Sequence, residues 1–190
     1  STGSGTDALQ VTASAGGITL TGDVTVSDHF NYTPAKANVG TALVNDAADV
    51  ALDWTNTGKT FKSLHTGSEA NKTVTLADAT AADVGKTITI IQTAIPAADT
   101  GDLLIHLTND TFDTGSYILQ GVGGTFVIPV IDFSAGDNNK ITLSPAGTNC
   151  AYSVGTIIKF TVLAAGEIRA EVNTVSLGNG GTGTIAFGTQ

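Results

Sequence analysis

The stretch Val74–Gln92, VTLADATAADVGKTITIIQ, alternates apolar residues with threonine on both sides of a short segment rich in Ala and Asp. Successive side chains of a β-strand point to opposite faces, so this alternation predicts strands with one face in a core. The same period recurs in residues 16–28 (GGITLTGDVTVSD), 140–144 (KITLS) and 155–163 (GTIIKFTVL). Short strands at regular spacing, with turn signals between them, predict an all-β fold: an antiparallel β-sandwich or jelly roll.

The bulk composition limits the class of protein further. Hydrophobic residues make up 41% of the 190 residues and charged residues only 13%, which is the opposite of a disordered chain. A chain of this length buries roughly 70% of its surface on folding, so its core needs no disulfide. Eight Lys and Arg stand against 17 Asp and Glu, whereas a surface for nucleic acid or anionic lipid needs clustered cations. We therefore expect neither nucleic acid nor a membrane among the partners.

Glycine-rich composition marks both ends of the sequence. Residues 1–16 are predicted to form an extended N-terminal arm, and residues 177–190 a Gly-rich C-terminal arm. Residues 17–176 are predicted to form the β-sandwich body, with the hairpin 17–28 either inside it or apart from it. Exposed sheet edges accept further strands, so we expect both arms to lie across neighbouring subunits. The expected assembly contacts are the apolar residues of these arms: Leu9, Val11, Ile185 and Phe187.

Alternation within single strands predicts which residues form the core. Residues 49–54 (DVALDW) are predicted as a strand that places its three apolar side chains on one face. In the opening stretch the apolar positions of the two strands are predicted to point inward in the same way. The residues predicted for the core are Val50, Leu52, Trp54, Leu76, Ile88 and Ile90.

Turn-forming residues give a second set of local predictions. Asp78 is a candidate N-cap and Gly85 a stop for one helical turn between the two strands of the opening stretch. The strands GTIIKFTVL and EIRAEVNTV predict a hairpin across residues 164–166. Residues 29–43 (HFNYTPAKANVGTAL) are predicted to be irregular, because Pro34 disfavours a strand.

The sequence contains few residues suited to catalysis. His29, His65 and His106 are far apart, and no pair of them has the spacing of a metal site. His106 alternates with apolar neighbours in a predicted strand, so we expect it to face away from them. No GxSxG nucleophile elbow occurs, and Cys150 has no Cys or His near it. We predict that the protein is not an enzyme and that it needs no cofactor.

One loop offers weak candidates for a metal ion. Asp137, Asn138 and Asn139 lie in AGDNNK, and calcium prefers carboxylate and amide oxygens of this kind. The loop lacks the spacing and the closing Glu of an EF-hand, and Asp and Asn favour turns because their side chains bond nearby backbone groups. We therefore prefer the interpretation as a turn and predict no metal site.

Three segments carry a resemblance to a known class of proteins. TVTLADATAADVGKTITIIQ, NNKITLS and GTIIKFTVLAAGEIRAEV together resemble modules frequent in virion proteins of tailed phages, over about residues 70–173. Those modules show a strand ending in Thr-Leu-Pro, an Ala-rich turn, Gly-Lys-Thr, a second strand and a later strand pair. Ala77 stands here in the proline place, and residues 170–172 (AEV) stand where the closing pair often has an aromatic residue. GGITLTGDVTVSD also resembles hairpins of phage fibre and decoration proteins.

The resemblance implies a virion surface protein, and it transfers no catalytic residue. The leading hypothesis is a capsid decoration (cement) protein that binds capsid or other virion proteins as a homo-oligomer, with a trimer expected. One alternative is a tail-fibre or receptor-binding head, whose loops would contact a host glycan. Another is a filament or cell-surface subunit that polymerises by donated strands. The sequence shows no signal peptide and contains no Met, which fits a processed cytosolic product, so we expect synthesis in the host cytoplasm and a place on the virion surface.

Overall fold

The structure is a computed structural model that describes residues 39–44, 48–68, 70–96, 100–122, 125–127, 138–145, 152–175 and 185–190. The chain divides into two units, residues 1–34 and 35–190, and every described residue belongs to the second unit. The predicted N-terminal arm with Leu9 and Val11, and the hairpin 17–28, lie outside the described residues.

The described residues form thirteen strands and two short 3-10 turns. In chain order the strands are β1 Val39–Val44, β2 Val50–Leu52, β3 Lys59–Ser63, β4 Lys72–Leu76, β5 Thr87–Gln92, β6 Leu103–Leu107, β7 Thr111–Phe112, β8 Tyr117–Val122, β9 Thr125–Val127, β10 Lys140–Leu143, β11 Ile157–Ala164, β12 Glu167–Asn173 and β13 Ile185–Gly188. The 3-10 turns span Trp54–Asn56 and Ala81–Asp83. The all-β class that the alternation predicts is confirmed.

The strands form two sheets that pack against each other as a sandwich. Sheet A has the order β1-β3-β5-β11-β12-β8-β9, with β7 also pairing with β12. Sheet B has the order β13-β10-β6-β4-β2.

Both sheets are mixed, so the prediction of an antiparallel sandwich is wrong in this respect. From β1 to β6 the chain passes from one sheet to the other at every connection, and each strand therefore lies beside the next but one in sequence. These neighbours run parallel: β1 with β3, β3 with β5, β2 with β4, and β4 with β6. The antiparallel pairs are β5 with β11, β11 with β12, β8 with β9, β6 with β10, and β10 with β13. Strand β12 also runs parallel to β7 and β8.

The core lies between the two sheets and follows the alternation of the sequence. Val74 and Leu76 of β4 and Ile88 and Ile90 of β5 are each at most 1% exposed. Burying such a side chain fully contributes about 1.5–3 kcal/mol. Val50 is half-buried and packs against this cluster, and the other residues predicted for the core are buried within it: Leu52, Trp54, Leu76, Ile88 and Ile90.

Trp54 reaches the core by a different route from the predicted one. Strand β2 ends at Leu52, and Asp53 caps the following 3-10 turn by accepting a hydrogen bond from the Thr55 N–H at 2.9 Å. The turn carries the Trp54 ring inward, where it is 3% exposed and its Nε1 donates to the Ala77 carbonyl at 2.9 Å. The prediction of one strand face through residue 54 is therefore wrong, although the indole is buried.

The turn between β4 and β5 is present, but its cap differs from the predicted one. Thr80, and not Asp78, precedes the 3-10 turn, and the Asp83 carboxylate accepts from the Thr80 N–H at 2.9 Å and the Thr80 hydroxyl at 2.6 Å. Asp78 instead accepts from the backbone N–H of Asn109 at 2.9 Å, which ties this turn to the loop after β6. Gly85 ends the turn as predicted, with a φ of +84° that an L side chain rarely adopts.

Two further predictions concern strand pairing. The hairpin across residues 164–166 is confirmed, because β11 and β12 pair antiparallel with Phe160 opposite Ala170. The prediction that residues 29–43 are irregular is wrong for the last part of that segment, because residues 39–44 form β1 beside β3. Strand β1 begins five positions after Pro34, beyond the reach of the ring's effect on the backbone.

Candidate functional site

The outer face of sheet B is a regular surface that strand register defines across all five strands of that sheet. Strands β4, β6 and β10 alternate buried and half-buried residues, so their half-buried side chains point away from the core. Register aligns them in two rows across the sheet. The first row is Ala51, Thr75, His106, Lys140 and Gly188. The second row is Thr73, Leu104, Thr142 and Ala186. These nine residues are called the outer face below.

The outer face is nearly free of charge. None of its nine residues is a carboxylate, and its side chains are mainly threonine and alanine. Sheet A differs, because Lys159 and Glu171 pair across β11 and β12 on its outward side at 3.1 Å. Ion pairs of this kind are ordinary on solvent-exposed surfaces, whereas the centres of protein interfaces are depleted of charged residues. The two sides of the sandwich therefore differ in how readily they can be desolvated.

His106 lies in the middle of the outer face, as its alternation with apolar neighbours predicts. Its register partners are Thr75 on β4 and Lys140 on β10. Its Nε2 is buried and has no hydrogen-bond partner among the described residues. Burial and the positive charge of Lys140 lower the pKa of His106, and Asp49 opposes them. The imidazole is therefore neutral near pH 7, and Lys140 is the one formal charge among the nine residues.

The buried imidazole of His65 belongs to a structural network. Its Nδ1 lies 3.0 Å from the Tyr152 hydroxyl, and both side chains are 0% exposed. Gln92 Nε2 donates to the His65 carbonyl at 2.7 Å, which ties β5 to the segment after β3. The Ser63 hydroxyl lies 3.4 Å from the His65 backbone N–H, whereas a nucleophilic serine would have to face the imidazole. This cluster is closed to solvent and holds strand ends together.

Two carboxylates in the loops around β7 accept hydrogen bonds from other parts of the fold. Asp110 is 4% exposed and accepts from the Ala79 N–H at 2.6 Å. The pKa of Asp110 is raised overall. Burial is the main cause and the charge of Asp78 adds to it, whereas the hydrogen bond from the Ala79 N–H acts in the opposite direction. Asp113 shows the reverse balance: burial works to raise its pKa, but hydrogen bonds from Arg169 and a backbone N–H lower it overall. The Arg169 Nε and Nη2 both donate to one Asp113 oxygen, at 2.8 and 2.7 Å.

The weak candidates for a metal ion hold strand ends together instead. The Asn138 carbonyl accepts from the Phe112 N–H, and the Asn139 carbonyl accepts from the Leu107 N–H, each at 2.8 Å. The Asn139 Oδ1 accepts from the backbone N–H of Gln190 at 2.9 Å. Asp137 lies outside the described residues. Within the described part of the chain, no three His, Cys, Asp or Glu residues are grouped so that they could hold a metal ion.

The two C-terminal assembly residues lie in the sandwich of their own chain. Ile185 is 6% exposed in the core and lies opposite Leu143, and Phe187 lies opposite Ile141. The structure describes a single chain, so the expectation that they cross to a neighbouring subunit stays a prediction. Their period-2 spacing suits the inward face of an edge strand.

Sequence reasoning missed the outer face as a unit. Its threonines are visible in the sequence as the alternate positions of strands, but their alignment across five strands depends on parallel pairing between distant segments. Among the described residues, no helix is long and apolar enough to cross a membrane. The arrangement combines a regular, nearly uncharged surface on sheet B with buried polar networks at strand ends. Comparison with protein-family models, with curated proteins and with solved structures finds no match for this chain.

Proposed function

We propose that the protein is a structural virion protein, a capsid decoration (cement) protein of a tailed phage that adheres through the outer face of sheet B. The observation that carries this proposal is the composition of nine aligned residues across five strands, which include three threonines, no carboxylate and a single charged residue, Lys140. The resemblance of residues 70–173 to phage virion modules supports the same class.

The chemistry of the outer face suits adhesion. Threonine and alanine lose little side-chain freedom on docking, and burial of their methyl groups is favourable by about 25 cal/mol per Å². His106 is neutral near pH 7 and brings no charge to be desolvated. Lys140 has a long aliphatic stem that can cover apolar surface while its ammonium group stays in water. Binding through this face should therefore depend only weakly on salt concentration.

The size of the outer face supports an oligomer. Five strands spaced about 4.8 Å apart and two rows of side chains give roughly 24 by 13 Å, or about 300 Å². A stable protein interface buries about 800 Å² on each partner, so one copy offers less than half of that area. Three copies together offer about 900 Å², and joint attachment raises their avidity. This comparison of areas supports the expected homotrimer. Light scattering on the free protein measures the mass of the oligomer.

The test compares two glutamate substitutions at half-buried threonines. Thr142→Glu places a carboxylate in the outer face between Leu104 and Ala186, and Thr89→Glu places one on the outward side of sheet A. Each purified variant is sedimented with capsids of the encoding phage that were assembled without this protein. We expect Thr142→Glu to lower the affinity at least about tenfold, because an unpaired carboxylate must be desolvated, and Thr89→Glu to bind like the unsubstituted chain.

Equal binding by both variants would show that the outer face is not the adhesive surface. Failure of the unsubstituted chain to bind capsids at all, combined with binding to host cells, would assign it to the receptor-binding head instead. Growth of open-ended polymers by the free chain would point to a filament subunit. Light scattering of the same samples separates these outcomes, because it reports monomer, closed oligomer or polymer before any capsid is added.

A further inference from the structure

Strand β13 is held on the edge of sheet B by contacts with earlier parts of the chain. It pairs antiparallel with β10, with Ala186 opposite Thr142 and Gly188 opposite Lys140. On the inward side, the Phe187 ring meets the Phe112 ring edge to face, with centroids 5.2 Å apart. Beyond the strand, the Gln190 Nε2 donates to the Leu107 carbonyl at 2.7 Å.

The covalent connection to β13 comes from the other sheet. Strand β12 belongs to sheet A, and residues 176–184 (SLGNGGTGT) join its end region to β13. Four of these nine residues are glycine. The β13 contacts named above are non-covalent, and every partner lies before residue 144. The edge of β10 therefore receives the same contacts whichever copy of the chain supplies the strand.

We propose that β13 is an exchangeable strand, so that the β10 edge of one copy accepts β13 from a second copy of the chain. The closed monomer and the exchanged assembly contain the same strand contacts. The connection 176–184 and the protein concentration therefore determine which of the two forms is populated. Ile185 fills the core position opposite Leu143 in either form. Reciprocal exchange gives a closed dimer, and head-to-tail exchange gives a ring such as a trimer. This inference goes beyond capsid binding and concerns the free protein.

Disulfide trapping between two chains tests the exchange directly. Cys150 is the one cysteine of the sequence, so all variants carry Cys150→Ser. One chain carries Thr142→Cys and the other Ala186→Cys, and the two are mixed at a concentration that favours assembly and then oxidised. These positions are opposite each other in the register, so a covalent heterodimer forms efficiently only when β13 of one chain lies on β10 of the other.

The matched control mixes Thr89→Cys with Ala186→Cys, because Thr89 lies on sheet A and can pair with residue 186 only by collision. We expect at least about tenfold more heterodimer from the paired positions, since exchange holds the two thiols at a high effective concentration. Heterodimer no more abundant than in the control would overturn the proposal. The double variant Thr142→Cys/Ala186→Cys in one chain would then run wholly as an oxidised monomer.

A second pair keeps the test decisive if the first disturbs folding. Lys140→Cys and Gly188→Cys are also opposite each other, and a Cβ at position 188 meets its nearest atom, the Lys140 Cε, at 3.8 Å. Deletion of residues 180–183 gives an independent measurement, because a shortened connection favours exchange over closure. We expect the deletion to raise the dimer or trimer fraction, and a strictly monomeric deletion variant would contradict the proposal. All measurements use free protein, so they remain separate from the capsid test.

Discussion

Two adjacent isoleucines of β5 allow a stringent test of the fold. Ile90 is 1% exposed and faces the core, whereas Ile91 is half-buried on the outward side of sheet A. Ile90→Ala removes buried carbon atoms from a packed interior and should cost about 2–5 kcal/mol in the free energy of unfolding. Ile91→Ala makes the same chemical change in the same strand and should cost about 1 kcal/mol or less, mostly through β-propensity.

Trp54 provides the assay. It is the only tryptophan of the chain and is 3% exposed, so its fluorescence reports solvent entry into the core during urea or thermal unfolding. For a domain of this size each kcal/mol shifts Tm by about 2–4 °C, so a loss of about 3 kcal/mol lowers Tm by about 6–12 °C for Ile90→Ala. Comparable losses in the two variants, or a larger loss for Ile91→Ala, would refute the assignment of inward and outward faces in β5.

Two predictions concern titration of carboxyl groups. The pKa of Asp83 is lowered to about 2 by its hydrogen bonds from Lys86 and Thr80, so its stabilising contribution is present above pH 3.8 and is lost as pH falls towards 2. We expect Lys86→Ala to raise that pKa towards 3.8 in an NMR titration, and an unchanged midpoint would contradict the assignment. The pKa of Asp110 is raised, chiefly by burial, so its contribution is greatest below pH 3.8 and declines as pH rises through the raised value. The free energy of unfolding of the unsubstituted chain, measured with urea relative to that of Asp110→Asn, should therefore fall from pH 3 to pH 7. A constant difference between the two chains over this pH range would contradict the raised pKa of Asp110.

The sequence predicts the strands well because their signal is local. A strand such as β5 or β12 alternates buried and half-buried residues over its whole length, and that period is visible in any window of six residues. The hairpin between β11 and β12 was predictable for the same reason, since its turn and both strands are contiguous. The burial of Ile88 follows from the alternation alone.

The pairing within each sheet of strands that are not consecutive in sequence could not be predicted from local signals. Nothing in residues 59–63 or 87–92 indicates that these segments lie side by side, because β4 stands between them in sequence and belongs to the other sheet. Neighbours in sequence lie side by side in most sheets, and the parallel pairs of this fold depart from that tendency. The position of Trp54 was missed for a related reason: the period continues through residue 54, and only the cap at Asp53 ends the strand.

The outer face and the exchangeable strand share residues, and this links the two proposals. Ala186 and Gly188 belong to β13 and also complete the two rows of the outer face beside Thr142 and Lys140. If β13 comes from a second copy, each outer face is built by two chains, and assembly completes the adhesive surface. A chain whose β13 cannot dock should then lose both self-association and capsid binding, whereas Thr142→Glu should reduce capsid binding far more than self-association. Exchange and adhesion are thus separable by experiment although one edge of sheet B serves both.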